Sequence, residues 1–351
     1  MRITLVSDAW SPQINGVVRT LTTTVAMLLD RGHAVQTITP DKFLSVPCPT
    51  YPEIRLALTT RSRVAAMIEA FRPEAVHIAT EGPLGWLARR WCMARGIPFT
   101  TSFHTRFPDY VAARTGLSPD WLWRMLTRFH APARHVLAAT PRLAAELHDH
   151  DLRSTRLWSR GVDLAEFNRD VVPAAAYAGI ARPIQLYVGR VAVEKNIAAF
   201  LETTVPGTRV VVGDGPELAA LRQRYPEVLF LGALRGTALA AAYAGADVFV
   251  FPSLTDTFGL VMIEALACGV PVAGFRIAGP LDVVGEQGCG FIDSWTRRVG
   301  AVDDSLDTAI RLALTADRDD CADYARFFSW ERCLDQFLTA LAEIDEVPQA
   351  A

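Results

Sequence analysis

Two basic side chains, Arg190 and Lys195, lie just after a short apolar segment in the second half of the 351-residue chain. Residues 184–188 read Ile-Gln-Leu-Tyr-Val, which predicts a buried strand with a loop at its carboxyl end. A guanidinium group grips two oxygens and an ammonium group is a mobile point charge, so the pair suits a diphosphate. The structural alternative is a surface ion pair between Lys195 and Glu194. We favour the functional interpretation, because the chain has only one other lysine, Lys42.

A second loop and the helix that follows it carry two carboxylates. Asp256 lies just before a predicted helix that begins near Phe258 or Gly259, and Glu264 lies inside that helix, one turn beyond Leu260. The free backbone N–H groups of Phe258, Gly259 and Leu260 could hold a diphosphate at the positive end of the helix. Glu264 would then contact a ribose diol, and Asp256 a sugar hydroxyl. Asp256 could instead be a helix N-cap, whereas Glu264 has apolar neighbours and needs a partner if it is buried.

The first half of the chain offers Gly16 and His104. Gly16 stands where a helix follows the first predicted strand, so a phosphate could approach the backbone there. An ordinary turn glycine is the alternative. His104 follows a predicted strand and could contact a substrate, or it could be a structural histidine with satisfied hydrogen bonds. The residues alone do not decide between these two interpretations.

Strands at regular spacing are needed to position these loops. Short β-branched runs alternate with helical stretches of 10–15 residues, which is typical of doubly wound parallel α/β sheets. The pattern occurs twice, so we predict two Rossmann-like domains that face each other across a cleft. The predicted strands cover residues 3–6, 34–38, 75–78, 98–102, 135–138, 184–188, 208–212, 228–231, 248–251 and 270–274.

The periodicity lapses between residues 158 and 183, and we place the domain boundary near residue 168. This divides the chain into domains of residues 1–168 and 169–328, followed by a helix that begins at Ser329 as its N-cap. Several of its residues form one apolar stripe.

Composition limits the functional class. Half of the residues are hydrophobic, and a net charge of -3 argues against a nucleic-acid binder. Residues 1–168 carry 20 basic and 14 acidic side chains, and the remainder carry 15 and 24. The basic first half could face an anionic membrane, or it could be ordinary surface variation. A helix over residues 118–130 places Trp121, Trp123, Arg124 and Arg128 largely off its apolar stripe, which suits either a membrane interface or a solvated face.

Targeting and metal-binding signals are weak in the sequence. The six cysteines show neither close pairing nor metal-ligand spacing, which suggests reduced thiols in a cytoplasmic protein. The first apolar run is too short for a signal peptide, and no apolar run is long enough to cross a membrane. The sequence also lacks a P-loop, a nucleophile elbow, a full dinucleotide fingerprint and a zinc-type cluster.

Taken in order, these motifs resemble the retaining glycosyltransferases of family 4, which have the GT-B fold. The resemblance rests on Asp256 to Glu264 with the following Ala-Leu-Ala-Cys-Gly-Val-Pro-Val, on residues 189–196, on Asn15-Gly16-Val17-Val18-Arg19, on His104 and on residues 158–163. The front segment Ser-Pro-Gln-Ile-Asn-Gly-Val-Val-Arg-Thr and the segment Thr-Asp-Thr-Phe-Gly look similar to bacterial enzymes that glycosylate membrane lipids. The first acid of the family motif is usually glutamate, so Asp256 is one methylene shorter.

The resemblance implies transfer of a hexosyl group from a nucleoside-diphosphate sugar to a lipid or glycolipid at the cytoplasmic membrane face. Arg190, Lys195 and the helix start near Gly259 would stabilise the leaving diphosphate in place of a metal, so no metal or other cofactor is expected. His104 would hold a donor-sugar hydroxyl or the developing charge. GDP-mannose is favoured as donor, with UDP-glucose or UDP-glucuronate close behind. Alternatives are a soluble or polysaccharide acceptor, a nucleotide-sugar epimerase of the same fold, and a non-catalytic nucleotide-binding module.

Overall fold

The computed structural model describes most of the chain. The described residues are 1–13, 15–48, 51–104, 120–254, 258–292 and 294–344, with the backbone alone for 48 and 51–54.

The first compact unit comprises Met1–Ser159 and the C-terminal segment that starts at Cys333. Its centre is a parallel sheet of six strands in the order β2-β1-β5-β6-β7-β8, and β3 and β4 form a separate antiparallel pair. The strands are β1 (Arg2–Val6), β2 (Ala34–Ile38), β3 (Leu44–Cys48), β4 (Tyr51–Leu58), β5 (Ala75–Ile78), β6 (Thr100–Phe103), β7 (His135–Ala138) and β8 (Thr155–Leu157). The helices before the second unit are α1 (Gly16–Asp30), α2 (Arg61–Phe71), α3 (Pro83–Arg95), α4 (Asp120–His130) and α5 (Pro141–Asp149).

The second compact unit comprises Arg160–Arg332. Its parallel sheet has the order β11-β10-β9-β12-β13-β14. The strands are β9 (Ile184–Val188), β10 (Thr208–Val212), β11 (Leu229–Gly232), β12 (Val248–Phe251), β13 (Val272–Phe275) and β14 (Gly300–Asp303). The helices are α6 (Ile197–Leu201), α7 (Leu218–Arg224), α8 (Gly236–Gly245), α9 (Leu260–Ala267), α10 (Ala278–Val283), α11 (Leu306–Ala313) and α12 (Arg318–Ala325).

Both sheets have the doubly wound parallel form that the sequence predicts. Central strands such as β5, β9 and β12 are buried along their whole length, because helices cover both faces of each sheet. The ten predicted strands are all present, six of them with the predicted bounds and four with ends that shift by one or two residues. The sequence did not predict β8, β14 or the pair β3–β4. These strands lie at an edge of a sheet or outside the two main sheets, where the apolar run that marks a buried strand is short.

The described contacts divide the chain between Ser159 and Arg160, earlier than the sequence-based boundary near residue 168. Val162 forms a β-bridge with Ser329, and the Phe167 ring lies 5.9 Å from the Tyr243 ring. These contacts attach the connecting segment to the second unit.

The last helix, α13 (Trp330–Ala340), begins after Ser329. The Arg332 backbone N–H donates a 3.3 Å hydrogen bond to the Ser329 hydroxyl, which confirms the predicted N-cap. From Cys333 onward the chain packs in the first unit, where the Phe337 ring lies 4.9 Å from the Trp158 ring. The Ile344 backbone N–H also donates to the Glu74 carbonyl oxygen at 2.8 Å.

A buried histidine lies in the middle of the first sheet. His77 on β5 is fully buried, with its ring nitrogens 2.9 Å from the Thr100 hydroxyl and 2.6 Å from the Ser102 hydroxyl of β6. Burial lowers the pKa of His77 from 6.5 to about 3. The folded protein therefore holds this ring neutral at a pH at which the unfolded chain binds a proton.

We expect His77→Gln to reduce the acid sensitivity of folding. In the wild type the His77 contribution is fully present above pH 6.5 and is lost as pH falls towards 3, because only the unfolded state takes up the proton. Between pH 7 and pH 5 this amounts to about 2 kcal/mol in the free energy of unfolding. Urea denaturation of both proteins at the two pH values measures the difference. Equal losses in the two proteins would contradict this assignment.

Candidate functional site

The loop after β9 carries Arg190 and Lys195. The Arg190 backbone carbonyl accepts a 2.9 Å hydrogen bond from the Tyr187 hydroxyl, and Lys195 ends a short 3₁₀ turn, Val193–Lys195. The Arg190 side chain is 63% exposed and lies 3.8 Å from the Glu194 carboxylate, a surface pair that contributes little to stability. Both cations therefore lie beyond the carboxyl end of the strand, and Arg190 is accessible to a ligand.

The turn after β10 packs against this loop through a glycine. Gly213 has φ +143°, and a Cβ there would overlap the Gly189 carbonyl oxygen. Next to it, the Val191 backbone N–H donates a 2.8 Å hydrogen bond to the Asp214 carbonyl oxygen. A side chain at position 213 would push the segment that carries Arg190 away from the sheet, so the close approach requires glycine.

A side-chain hydrogen bond connects this loop with the end of the neighbouring strand. The Asn196 side-chain amide donates to the Pro252 carbonyl oxygen at 3.2 Å, and Pro252 directly follows β12. The Asn196 backbone has φ +51°, a left-handed conformation that asparagine tolerates better than most residues. Because β9 and β12 pair in parallel, the two loops that the sequence singled out leave the same edge of the sheet.

The loop after β12 leads into α9. Gly259 precedes the helix with φ +77°, and a Cβ there would come within 3.0 Å of the Phe251 ring. Phe258 is 5% exposed and its ring lies 6.1 Å from the Phe328 ring, so its side chain belongs to the core of the second unit. Leu260 is the first helical residue and is half-buried. Any ligand contact by Phe258 would therefore use its backbone.

Glu264 lies one turn inside α9 and is 2% exposed. The Tyr243 hydroxyl, on α8, donates a 3.1 Å hydrogen bond to Glu264 Oε2. Tyr243 is itself fully buried. The sequence predicts that a buried carboxylate here needs a partner, and within the protein this phenol is one.

Asp256 lies outside the described residues, as do residues 105–119 that follow His104. The predicted sugar contact of Asp256 therefore stays a prediction.

In the first unit, Gly16 is the exposed first residue of α1. The Asn15 side chain caps this helix by accepting a 2.9 Å hydrogen bond from the Val18 backbone N–H. The fifteen-residue helix thus presents an exposed positive end at Gly16, as a phosphate site would require.

His104 follows β6 and is 8% exposed. Its ring centroid lies 5.6 Å from the Trp158 indole in an edge-to-face arrangement. Trp158 in turn contacts the rings of His77 and Phe337. The imidazole thus packs against an aromatic cluster of the first unit.

The sequence did not predict one buried acid. Asp8 follows β1 and is 4% exposed, and its carboxylate accepts hydrogen bonds from the Leu84 backbone N–H at 2.9 Å and the Gly85 backbone N–H at 3.2 Å. Burial raises the pKa of Asp8 to about 6, although these hydrogen bonds oppose the shift. Asp8 thereby joins the first strand to the start of α3. The residues next to Asp8 in the sequence do not indicate these contacts, because the N–H donors lie 76 and 77 residues further along the chain.

Within the described residues, no group of three His, Cys, Asp or Glu side chains is arranged to hold a metal ion. Independence from metal stays a prediction. Likewise, none of the described helices is both long and apolar enough to span a membrane.

Comparison with known proteins identifies both halves of the chain. Residues 14–166 match the family model described as Glycosyltransferase Family 4, and residues 182–307 match the model described as Glycosyl transferases group 1. A GDP-mannose-dependent alpha-mannosyltransferase of Mycolicibacterium smegmatis is 31% identical over 315 residues, which cover 83% of this chain and 84% of the relative. An alpha-monoglucosyldiacylglycerol synthase of Streptococcus pneumoniae is 27% identical over 314 residues, or 78% and 70% of the two chains.

Among solved structures, sucrose-phosphate synthase from Thermosynechococcus elongatus superposes with a TM-score of 0.70 at 21% identity. The superposition covers 96% of this chain and 97% of that one. This likeness concerns the fold. Together with the two parallel sheets it confirms the predicted α/β class and the GT-B fold with two Rossmann-like domains.

We expect Tyr243→Phe to weaken nucleotide binding through Glu264. The variant leaves a buried carboxylate without its phenol donor, which should lower the free energy of unfolding by about 1–3 kcal/mol. If Glu264 holds the ribose, the affinity for a nucleoside diphosphate should fall by roughly tenfold, or about 1.4 kcal/mol. Titration calorimetry measures that affinity and urea denaturation measures the stability.

Tyr177→Phe is the matched control. Tyr177 is also buried in the second unit, and its hydroxyl donates a 3.0 Å hydrogen bond to the Ala242 carbonyl oxygen. This variant should lose comparable stability and keep its nucleotide affinity. The same loss of affinity in both variants would show that Tyr243 acts only through general stability.

Proposed function

The chain belongs to glycosyltransferase family 4, and we propose that it transfers a hexosyl group, with retention, from a nucleoside-diphosphate sugar to a lipid or glycolipid acceptor. The proposed donor site rests on one observation: β9 and β12 end at the same edge of the sheet. One loop there carries Arg190 and Lys195, and the other leads to the start of α9.

The donor diphosphate is proposed to lie against these two loops. Departure of the leaving group concentrates negative charge on its phosphates. Arg190, Lys195 and the backbone N–H groups at the Gly259 end of α9 belong to two loops at one edge of the sheet, where they would stabilise that charge as it develops. Positive groups of this kind replace a divalent metal, and the proposal includes no cofactor.

Glu264 is proposed to hold the ribose diol, with Tyr243 fixing its carboxylate. Its 2% exposure means that this contact needs a small opening of the surrounding side chains or a ligand that reaches between them. Asp256 is proposed to contact a hydroxyl of the sugar.

The transfer is proposed to pass through a short-lived oxocarbenium-like ion pair. The bond from the anomeric carbon to the phosphate oxygen breaks, and the acceptor oxygen forms its bond on the same face. The leaving phosphate takes the acceptor's proton, so no separate protein base is required. His104 is proposed to hold a donor-sugar hydroxyl or the developing charge, and Gly16 to let the donor approach the α1 backbone.

The relatives support a preference for the donor and acceptor. The M. smegmatis relative is a GDP-mannose-dependent alpha-mannosyltransferase, and the S. pneumoniae relative is an alpha-monoglucosyldiacylglycerol synthase. We therefore propose GDP-mannose as the favoured donor, ahead of UDP-glucose and UDP-glucuronate. A lipid acceptor would be used at the cytoplasmic face of the cell membrane, with peripheral contact by the basic first unit.

We expect Lys195→Ala to lower kcat/KM by about 10²–10³, because it removes a fixed charge that stabilises the leaving diphosphate. The assay follows transfer from labelled GDP-mannose, UDP-glucose or UDP-glucuronate to a lipid extract. Lys42→Ala is the matched control, since it removes the only other lysine, which contacts Thr37 in the first unit. Near-wild-type turnover by both Lys195→Ala and Glu264→Ala would refute the site. Interconversion of donors without an acceptor would instead indicate an epimerase.

We expect chelation to leave the activity unchanged. Incubation with excess EDTA, followed by the transfer assay with and without added Mg²⁺ or Mn²⁺, measures the metal requirement. Activity should stay within about twofold of the untreated enzyme, because the protein's own cations and amides face the diphosphate. Loss of activity that is restored by a divalent ion would contradict this part of the proposal.

A further inference from the structure

A pocket of about 480 Å³ lies between α3 and α4 on the first unit. The side chains that line it are Trp86, Arg89, Arg90, Arg124, Met125 and Arg128. Four of these six are arginines, and no acidic residue is among the described lining residues. None of them belongs to the proposed donor site.

Arg89 forms the floor of the pocket and holds the two helices together. It is 9% exposed, and its guanidinium donates hydrogen bonds to the backbone carbonyl oxygens of Phe129 at 2.8 Å and Arg128 at 2.7 Å. It also lies 5.1 Å from the centre of the Trp86 ring. Burial lowers the pKa of Arg89, and the positive charges of Arg128 and Arg90 lower it further. The cluster thus has a surplus of positive charge.

Two carboxylates on the neighbouring elements have partners outside the pocket. Glu69 on α2 accepts a 2.9 Å hydrogen bond from the Trp91 indole and also pairs with Arg95. Glu81 lies 3.1 Å from His130 Nε2. An external anion could therefore neutralise the pocket arginines, and guanidinium groups are suited to phosphate oxygens.

Exposed apolar side chains lie on the two helices that line the pocket. Trp121 on α4 is 47% exposed, Met125 one turn later is 38% exposed, and Met93 on α3 is 50% exposed. By contrast, Trp123 is 7% exposed and stacks on Phe103, so it belongs to the core rather than to the outer face expected from the sequence. The outer face of α4 combines tryptophan, methionine and arginine, a composition typical of helices at a bilayer surface.

We propose that this pocket binds the phosphate group of an anionic glycerophospholipid, with Arg90, Arg124 and Arg128 around the phosphate oxygens. Trp121, Met125 and Met93 would then lie at the level of the headgroups and the first acyl carbons. A soluble phosphate ester would satisfy the arginines but would leave this apolar rim in water, so the lipid is the better fit. The proposal rests on the membrane contact of the first unit proposed above and assigns it a site, but it does not depend on which nucleotide sugar the second unit binds.

The test is co-sedimentation with vesicles of phosphatidylcholine, with and without about 30 mol % phosphatidylglycerol. The wild-type protein should bind only the anionic vesicles. The triple variant R90Q/R124Q/R128Q should bind them at least tenfold more weakly, since each arginine near the surface contributes to the attraction. Arg89 is retained because it joins α3 to α4. Unchanged binding by the triple variant would overturn the proposal.

The matched control is R142Q/R153Q/R156Q, which removes three exposed arginines of the same unit from α5, the loop after it and β8. The change in net charge is identical, so this variant should bind anionic vesicles nearly as well as the wild type. Equal weakening in both triple variants would show diffuse attraction by a basic surface and would overturn the assignment to the pocket.

Two further experiments distinguish a lipid ligand from a soluble one. Trp121→Ser should weaken vesicle binding severalfold, because the indole leaves the interface. Millimolar glycerol phosphate should neither raise the melting temperature nor displace the vesicles. Displacement by glycerol phosphate, with no effect of Trp121→Ser, would assign the pocket to a soluble phosphate ester instead.

The thermal shift produced by GDP or UDP should be the same in the wild type and in R90Q/R124Q/R128Q. This readout confirms that the variant is folded. It also separates the two proposals. Loss of vesicle binding with unchanged nucleotide binding would concern the pocket, whereas loss of nucleotide binding with unchanged vesicle binding would concern the donor site.

Discussion

The parallel pairing of β9 with β12 is the constraint on which the proposed donor site depends. Parallel neighbours end at the same edge of a sheet, so the loops that carry Arg190 and Lys195 and that lead to Gly259 leave the sheet side by side. The hydrogen bond from Asn196 to Pro252 joins the two loops directly. Gly213 contributes as well, because the absence of a side chain there lets the loop after β10 pack closely against the loop after β9. These contacts hold the backbone of the loop that carries Arg190 and Lys195.

Buried polar contacts join separate elements within each unit. Tyr243 reaches Glu264 from a different helix, Asp8 holds the start of α3, and His77 links β5 to β6 through two hydroxyl groups. Each would be costly to bury without its partner, so each pair restricts how neighbouring elements can pack. Specific polar contacts of this kind are what give loops on a hydrophobic scaffold a defined orientation.

The first unit combines a hydrophobic interior with a strongly basic outer face. Leu122, Leu126 and Phe129 on α4 are buried in the core, while Arg124 and Arg128 face the pocket beside α3. The helix therefore has the packed apolar stripe that the sequence predicts, together with a charged outer face that the sequence allowed to be either a membrane interface or a solvated face. Arg89 makes this arrangement possible, because it binds the carbonyl groups at the end of α4 while its charge remains within the cluster.

The sequence alone determined the class of fold, the ten main strands, the N-cap at Ser329 and the family, because these depend on local runs and motifs of residues close together in the chain. It also located the two loops that follow β9 and β12. Only the tertiary structure decided that β12 lies beside β9, that Tyr243 is the partner of Glu264, that Asp8 binds α3 and that Trp123 faces inward. Those facts depend on contacts between residues that are far apart in the chain or on which side of a helix packs inward. Neither leaves a local pattern in a single sequence.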